Sequence, residues 1–121
     1  MAQTLLRGNP VQTAGDLPTI GAAAPAFTLK DAKLQAVSLA DFIGKKVVIS
    51  IFPSIDTPTC ATSTRKFNEQ AAGKTNTVVL TVSEDLPFAL GRFCGAEGIE
   101  NVHTLSAFRS SFGKDYGVEM T

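Results

Sequence analysis

Two near-continuous apolar runs, at residues 47–52 and 77–82, dominate the hydrophobic pattern of the chain. Both are rich in β-branched residues and neither alternates with polar ones, which is typical of strands buried on both faces of a sheet. The segment between them has the length that the crossover of a parallel βαβ unit requires. The pattern therefore predicts an α/β fold with a central strand at 47–52 and helices covering the sheet.

Shorter elements surround this unit. Residues 4–7 and 11–13 flank a Gly8-Asn9-Pro10 turn and predict an N-terminal β-hairpin, followed by an extended connection over 16–25. The remaining predictions are strands at 27–29 and 37–39, a helical turn at 39–42 capped by Ser38 and ended by Gly44, a strand at 101–105, and a last helix at 107–116 ended by Gly117.

A second long helix is predicted after the run at 77–82. Asp85 can cap it, Pro87 suits its first turn, and Gly95 is expected to end it. Gly91 inside this helix lowers its helix propensity by up to ~1 kcal/mol. We therefore expect a helix that opens readily.

Helix-start residues also follow the run at 47–52. Thr57 can act as the N-cap, and Pro58 suits the first helical position because its missing N–H would have no partner there. The helix is predicted to continue to Gln70 and to be closed by Gly73. Cys60 then lies in its first turn, where unpaired N–H groups and the helix dipole favour a thiolate. An unreactive, buried cysteine is the alternative, and position alone favours the reactive one.

The spacing Pro53-x-x-x-Thr57-x-x-Cys60 resembles the active-site motif of the peroxiredoxins, and the string from 52 to 68 resembles their thiol peroxidase branch. Similarity of this kind runs from Gly8-Asn9-Pro10 to Phe108–Phe112. The resemblance implies a single thioredoxin-like domain that carries an N-terminal β-hairpin.

The resemblance also implies roles for individual residues. Cys60 would reduce hydrogen peroxide or an organic hydroperoxide and become a sulfenic acid. Thr57 would hydrogen-bond to the thiolate and the peroxide, and Pro53 would shield the sulfur from water. Cys94, in the motif from 92 to 98, matches the family's resolving cysteine, which forms an intramolecular disulfide that thioredoxin reduces. From the residues alone, Thr57 remains a plain N-cap and Pro53 a strand terminator.

The family pattern extends beyond this sequence. It implies a terminal β-hairpin and a C-terminal helix, so the domain of residues 1–121 is expected to be C-terminally incomplete and to have an unpaired apolar sheet edge. The family's hairpin supplies an arginine to the site, and Arg109 does not fall at that place in the pattern. An alternative function is a thioredoxin-fold fragment without peroxidase turnover. A thiol-disulfide oxidoreductase would normally show Cys-x-x-Cys, whose first cysteine is replaced here by Thr57.

Composition narrows the remaining function classes. Acidic and basic residues number 11 each, which offers no electrostatic case for nucleic acid or an anionic membrane. No apolar run reaches the ~20 residues that span a bilayer, and residues 1–7 lack signal architecture, so a cytoplasmic protein is predicted. Two cysteines and the single His103 match no metal pattern, and no cofactor is predicted. Arg65, one turn beyond Cys60, is predicted to be solvated or to assist the thiolate. The full-length family implies a homodimer.

Overall fold

The computed structural model describes residues 2–6, 8–71 and 76–120. It contains two compact units, one formed by the described parts of 1–27 and 109–121, the other by 28–108. The single domain expected from the sequence stays a prediction.

The N-terminal hairpin is confirmed. Strands β1 (Gln3–Leu6) and β2 (Asn9–Gln12) pair antiparallel, with Leu5 opposite Pro10. The predicted turn is displaced, because Asn9 and Pro10 belong to the second strand. A two-stranded sheet has only edge strands, and an edge strand tolerates the missing N–H of proline.

The unit of residues 28–108 is built on a mixed sheet. Its described strands are β3 (Thr28–Asp31), β4 (Ala36–Ser38), β5 (Lys46–Ile51), β6 (Thr77–Ser83) and β7 (His103–Ser106). They lie in the order β4-β3-β7-β6-β5. β5, β6 and β7 run parallel, whereas β3 is antiparallel to both β4 and β7. The α/β class and the parallel pair on either side of the first crossover are thus as predicted.

The two apolar strands differ in burial. Every residue of β6 after Thr77 is buried. No residue of β5 is buried, and Val48 and Ile51 are 40% and 38% exposed. The predicted central, doubly covered position of this strand is therefore wrong, whereas the unpaired apolar sheet edge that the family pattern implied is observed at β5 among the described residues. β5 lies at the edge of the sheet because, in the ranges that the structure describes, β6 is its only neighbour.

Two helices connect the parallel strands. Helix α1 (Pro58–Ala71) joins β5 to β6 and begins where the sequence predicts, while its predicted end at Gly73 lies outside the described residues. Helix α2 (Pro87–Glu97) joins β6 to β7. Of the described helices, none is long and apolar enough to cross a membrane.

Both predicted ends of α2 need correction. Its N-cap is Leu86, not Asp85, and the helix continues past Gly95. Gly98 forms the C-cap with a φ of 64°, and its N–H donates to the carbonyl oxygen of Cys94. Only glycine adopts this left-handed conformation cheaply, so the helix ends at the glycine that adopts it rather than at the first glycine available.

The predicted turn before β5 is confirmed as a 3-10 helix at Leu39–Phe42, preceded by Ser38. The Asp41 carboxylate accepts a hydrogen bond from the Ser38 N–H over 2.9 Å. Gly44 follows the turn with a φ of 87°.

The predicted last helix at 107–116 is wrong. Only Phe112–Asp115 is helical (α3). Arg109 has a φ of 64°, which is incompatible with a continuous right-handed helix. Gly117 follows α3 with a φ of 69°, and a Cβ there would lie 2.0 Å from the carbonyl oxygen of Asp16, so the position requires glycine.

Aromatic rings form the centre of the smaller unit. Phe112 stacks on Tyr116 with centroids 4.3 Å apart and meets Phe27 edge-on at 5.5 Å. The Tyr116 hydroxyl donates to the carbonyl oxygen of Pro25 over 2.7 Å. Burial raises the pKa of Tyr116, and the charge of Asp115 raises it further.

Candidate active site

Cys60 is the third residue of α1 and is half-buried. Its carbonyl oxygen accepts a hydrogen bond from the hydroxyl of Thr64 over 2.9 Å, and Thr64 is completely buried. The next residue, Ala61, donates its N–H to the carbonyl oxygen of Thr57 over 3.0 Å. The backbone on both sides of Cys60 is thus fixed in the first turn, where N–H groups lack helical partners.

Thr57 occupies the residue before α1, as an N-cap would. Its hydroxyl donates to the carbonyl oxygen of Ser54 over 3.0 Å, and its N–H reaches the same oxygen over 3.3 Å. The hydroxyl hydrogen is therefore directed back along the loop. Pro53 is exposed at the start of that loop. The catalytic roles of Thr57 and Pro53 stay predictions.

Asp85 is a central residue of this site that sequence reasoning assigned elsewhere. Its Oδ1 accepts a hydrogen bond from the Ser54 hydroxyl, and its Oδ2 accepts one from the Ile55 N–H, each over 2.7 Å. The Ser83 hydroxyl donates to Oδ2 over a further 2.7 Å. The carboxylate expected to cap α2 instead holds the loop before α1.

The topology explains why Asp85 reaches that loop. Ser54 follows β5 and Asp85 follows β6, and the carboxyl ends of neighbouring parallel strands lie at the same edge of a sheet. Ser106, at the end of the parallel β7, donates its hydroxyl hydrogen to the main-chain carbonyl oxygen of Asp85. Polar residues directly after two adjacent parallel strands were the sequence signal for this cluster.

Cys94 lies in the third turn of α2 and is half-buried. Its sulfur is 3.4 Å from the hydroxyl oxygen of the buried Thr104 on β7. It also packs against an apolar cluster of Val79, Ile99 and Val102. Both cysteines are free thiols, held on separate helices.

Charged residues connect α2 to α1 and to the loop. Arg65 donates from Nε to Oε1 of Glu97 over 3.0 Å, and its Cζ lies 5.6 Å from the ring centroid of Phe93. Arg65 therefore pairs with α2, whereas the sequence predicted solvation or help to Cys60. In the middle of α2, Arg92 pairs with Asp56 of the loop over 3.2 Å.

Asn68 on α1 completes these connections. Its Oδ1 accepts hydrogen bonds from the N–H groups of Glu100 and Asn101 over 3.1 and 2.7 Å. The segment after α2 is thereby attached to α1. In the described part of the chain, no group of three or more His, Cys, Asp or Glu side chains is arranged to hold a metal ion.

A cysteine in the first turn of the helix after a parallel strand, with a second thiol on the next helix, is an arrangement suited to thiol-based redox chemistry. The family model of Redoxin matches residues 19–121. Thiol peroxidase of Mycobacterium tuberculosis (strain H37Rv) is 60% identical over 118 residues, which cover 98% of this chain and 71% of that protein. Thiol peroxidase of Corynebacterium glutamicum is 58% identical over 118 residues, which cover 98% of this chain and 72% of that protein.

Solved structures similar to this chain belong to the same class of protein. A peroxiredoxin-like protein from Aquifex aeolicus gives a TM-score of 0.87 at 39% identity, covering 98% of this chain and 69% of that one. A thiol peroxidase from Chromobacterium violaceum gives a TM-score of 0.80 at 26% identity, covering 93% of this chain and 66% of that one. The chain belongs to the Redoxin family and, within it, to the thiol peroxidase branch of the peroxiredoxins. Its fold is the thioredoxin-like fold of these proteins, and it is a peroxiredoxin-type oxidoreductase.

Proposed function

We propose that this protein reduces hydrogen peroxide and organic hydroperoxides with Cys60 as the peroxidatic residue. The observation that carries the proposal is the position of Cys60, the third residue of α1, in a chain whose relatives are thiol peroxidases. The start of a helix offers backbone N–H groups without helical partners, and the positive end of the helix dipole attracts negative charge.

In the first step the Cys60 thiolate attacks the terminal oxygen of the hydroperoxide. The S–O bond forms as the O–O bond breaks, and sulfur supplies the two electrons. The leaving alkoxide or hydroxide takes a proton from the medium and departs as an alcohol or water. Cys60 is left as a sulfenic acid. Thr57 would donate a hydrogen bond to the thiolate after its hydroxyl turns away from Ser54, and it can accept one from the peroxide O–H without that turn.

In the second step the Cys94 thiolate attacks the sulfenic sulfur of Cys60. The S–S bond forms as the S–O bond breaks, and the hydroxide leaves as water. A disulfide needs Cα atoms roughly 4.4 to 6.8 Å apart, with the Cβ atoms directed toward each other. The placement of the thiols on two separate helices supports a rearrangement of α2 before this step.

The disulfide then accepts two electrons from a reductant, for which we propose the dithiol of thioredoxin. The support is the match of Cys94 to the resolving cysteine of this branch, where thioredoxin is the implied partner. The homodimer and the cytoplasmic location inferred from the sequence belong to the same proposal.

Single-turnover measurements on the reduced chain test the proposal. The unmodified protein should consume one equivalent of hydrogen peroxide before any reductant is added. Cys60→Ser should consume none, whereas Cys94→Ser should keep the first turnover and form no intramolecular disulfide. Equal single-turnover rates for Cys60→Ser and the unmodified protein would refute the assignment. A folded, unmodified chain that consumes no peroxide would instead favour a thioredoxin-fold unit without turnover.

A further inference from the structure

We propose that Asp85 is a positioning residue for Cys60. Its carboxylate holds the loop of residues 54–57, and that loop fixes where α1 begins. This inference rests on the proposed role of Cys60 as the peroxidatic cysteine. It adds a residue that contacts neither cysteine through any hydrogen bond described above.

The bonds of the carboxylate are its first support. Each oxygen of Asp85 accepts one hydrogen bond from the loop, from the Ser54 hydroxyl and the Ile55 N–H, both over 2.7 Å. Hydrogen bonds to an ionised carboxylate are shorter and about twice as strong as those between neutral groups. Asp85 is half-buried and Ile55 is only 1% exposed, so water competes little for these bonds.

The anchor itself is rigid. Asp85 follows β6, which is buried from Val78 to Ser83. The Ser83 hydroxyl donates to its carboxylate over 2.7 Å, and the Ser106 hydroxyl donates to its main-chain oxygen. Asp85 is thus bonded to β6 through its carboxylate and to β7 through its main chain, and a residue held in this way can impose its position on a loop, whereas a mobile one would only follow it.

A continuous series of hydrogen bonds transmits this position to Cys60. Ser54, bound to Asp85, accepts the N–H and hydroxyl of Thr57 at its carbonyl oxygen. Thr57 in turn accepts the N–H of Ala61 over 3.0 Å. Ala61 is the neighbour of Cys60, so displacement of the loop displaces the first turn that presents the sulfur.

A capping role does not account for these contacts. Leu86 is the N-cap of α2, and no side-chain cap bond is present there. Removing a carboxylate with a merely structural role would lower stability and would affect the different reactions of Cys60 alike. A positioning carboxylate should affect peroxide attack, which depends on exact geometry, more than alkylation by iodoacetamide, which mainly requires an accessible thiolate.

The test compares Asp85→Ala and Asp85→Asn with a matched control, Asp31→Ala. The Asp31 carboxylate also accepts two loop N–H bonds, from Lys33 and Gln35 over 2.9 Å each, in the exposed turn between β3 and β4. Circular dichroism at the assay temperature establishes that each reduced variant is folded. The rate constants of Cys60 with hydrogen peroxide and with iodoacetamide are then measured by mass spectrometry.

Asp85→Ala should lower the peroxide rate constant roughly ten- to hundredfold, as expected for a reacting group displaced by about 1 Å. The iodoacetamide rate constant should fall by much less. Asp85→Asn should lie between Ala and the unmodified protein, because its amide oxygen still accepts from the Ile55 N–H. Asp31→Ala should leave both rate constants unchanged.

Equal losses in both reactions, or an Asp85→Ala rate constant equal to that of Asp31→Ala, would overturn the positioning role. Where Asp85→Ala does not fold, Asp85→Asn decides in the same way. If the unmodified chain forms no Cys60 sulfenic acid, the proposed function fails and the inference fails with it. Normal oxidation of the unmodified chain beside unaffected Asp85 variants refutes the inference alone.

Discussion

The two cysteines lie on consecutive helices, and the surroundings of the two differ in kind. The loop before Cys60 is held by the half-buried Asp85 carboxylate, which is anchored to the sheet. Helix α2, which carries Cys94, is held by largely exposed ion pairs and by its two buried residues, Pro87 and Leu90. Short bonds shielded from water fix geometry, whereas exposed pairs contribute little and are weakened by salt. If Cys60 and Cys94 act as proposed, we therefore expect the first thiol to be held in place and the second to be released.

The largest expected effect concerns Leu90, a fully buried apolar side chain in α2. Leu90 is 1% exposed, and Leu90→Ala should lower the free energy of unfolding by about 2–5 kcal/mol through lost burial and a residual cavity. Phe88 on the same helix is 68% exposed, so Phe88→Ala should change the free energy of unfolding by less than about 0.5 kcal/mol. Urea denaturation of both variants measures the difference. Similar losses for both would mean that α2 is not held through Leu90.

Oxidation should affect the two cysteine regions unequally. If α2 opens to form the proposed Cys60–Cys94 disulfide, hydrogen exchange over 89–98 should accelerate at least roughly tenfold, which corresponds to about 1.4 kcal/mol of protection. Exchange over 61–71 in α1 should change much less. Mass spectrometry on reduced and oxidised protein measures both segments. Unchanged protection over 89–98 in a fully formed disulfide would contradict the rearrangement of α2.

The same contrast separates what the sequence could predict from what it could not. Thr57 and Pro58 are local signals, so the start of α1 and the position of Cys60 followed from the residues. The edge position of β5 depends on which strands pair with it, and its own apolar run carries no such information. Asp85 was predictable only from topology, because its loop partners are about thirty residues away along the chain.

Helix ends illustrate the limit more finely. Gly95 and Gly98 are equally good local stop signals, and the structure ends α2 at Gly98. No residue type marks the left-handed φ of Arg109 that interrupts the predicted last helix. The choice in both places is made by tertiary packing, which local propensity does not encode.

A smaller effect is expected from helix propensity at Gly91. Gly91→Ala should stabilise α2 by up to about 1 kcal/mol, and its new Cβ would lie 3.4 Å from the Cβ of Ala32, an ordinary contact. If opening of α2 precedes disulfide formation, the rate of that step should fall up to about fivefold. Gly98→Ala should act in the opposite direction, because it strains a φ of 64°. Quenched mass spectrometry after peroxide addition measures both rates.

Comparing Gly91→Ala with Gly98→Ala shows which helix must open before the disulfide forms. A slower step in Gly91→Ala together with a faster step in Gly98→Ala would locate the barrier in α2. If neither variant changes the rate while both change helix stability, the opening that limits disulfide formation lies in the first turn of α1 instead.

The smallest expected effect is that of the Arg65–Glu97 pair, whose side chains are 46% and 34% exposed. Glu97→Gln removes the charge, and its amide oxygen can still accept from Arg65. Exposed pairs contribute about 0.2–1 kcal/mol, so disulfide formation should accelerate by about 1.4- to fivefold, and added salt should change its rate less than in the unmodified protein. Glu69→Gln is the matched control, because Glu69 pairs with Lys66 on α1 over 3.8 Å and has no bond to α2 among the contacts described above. An equal acceleration in Glu69→Gln would show that net charge, and not the connection between the helices, sets how readily Cys94 is released.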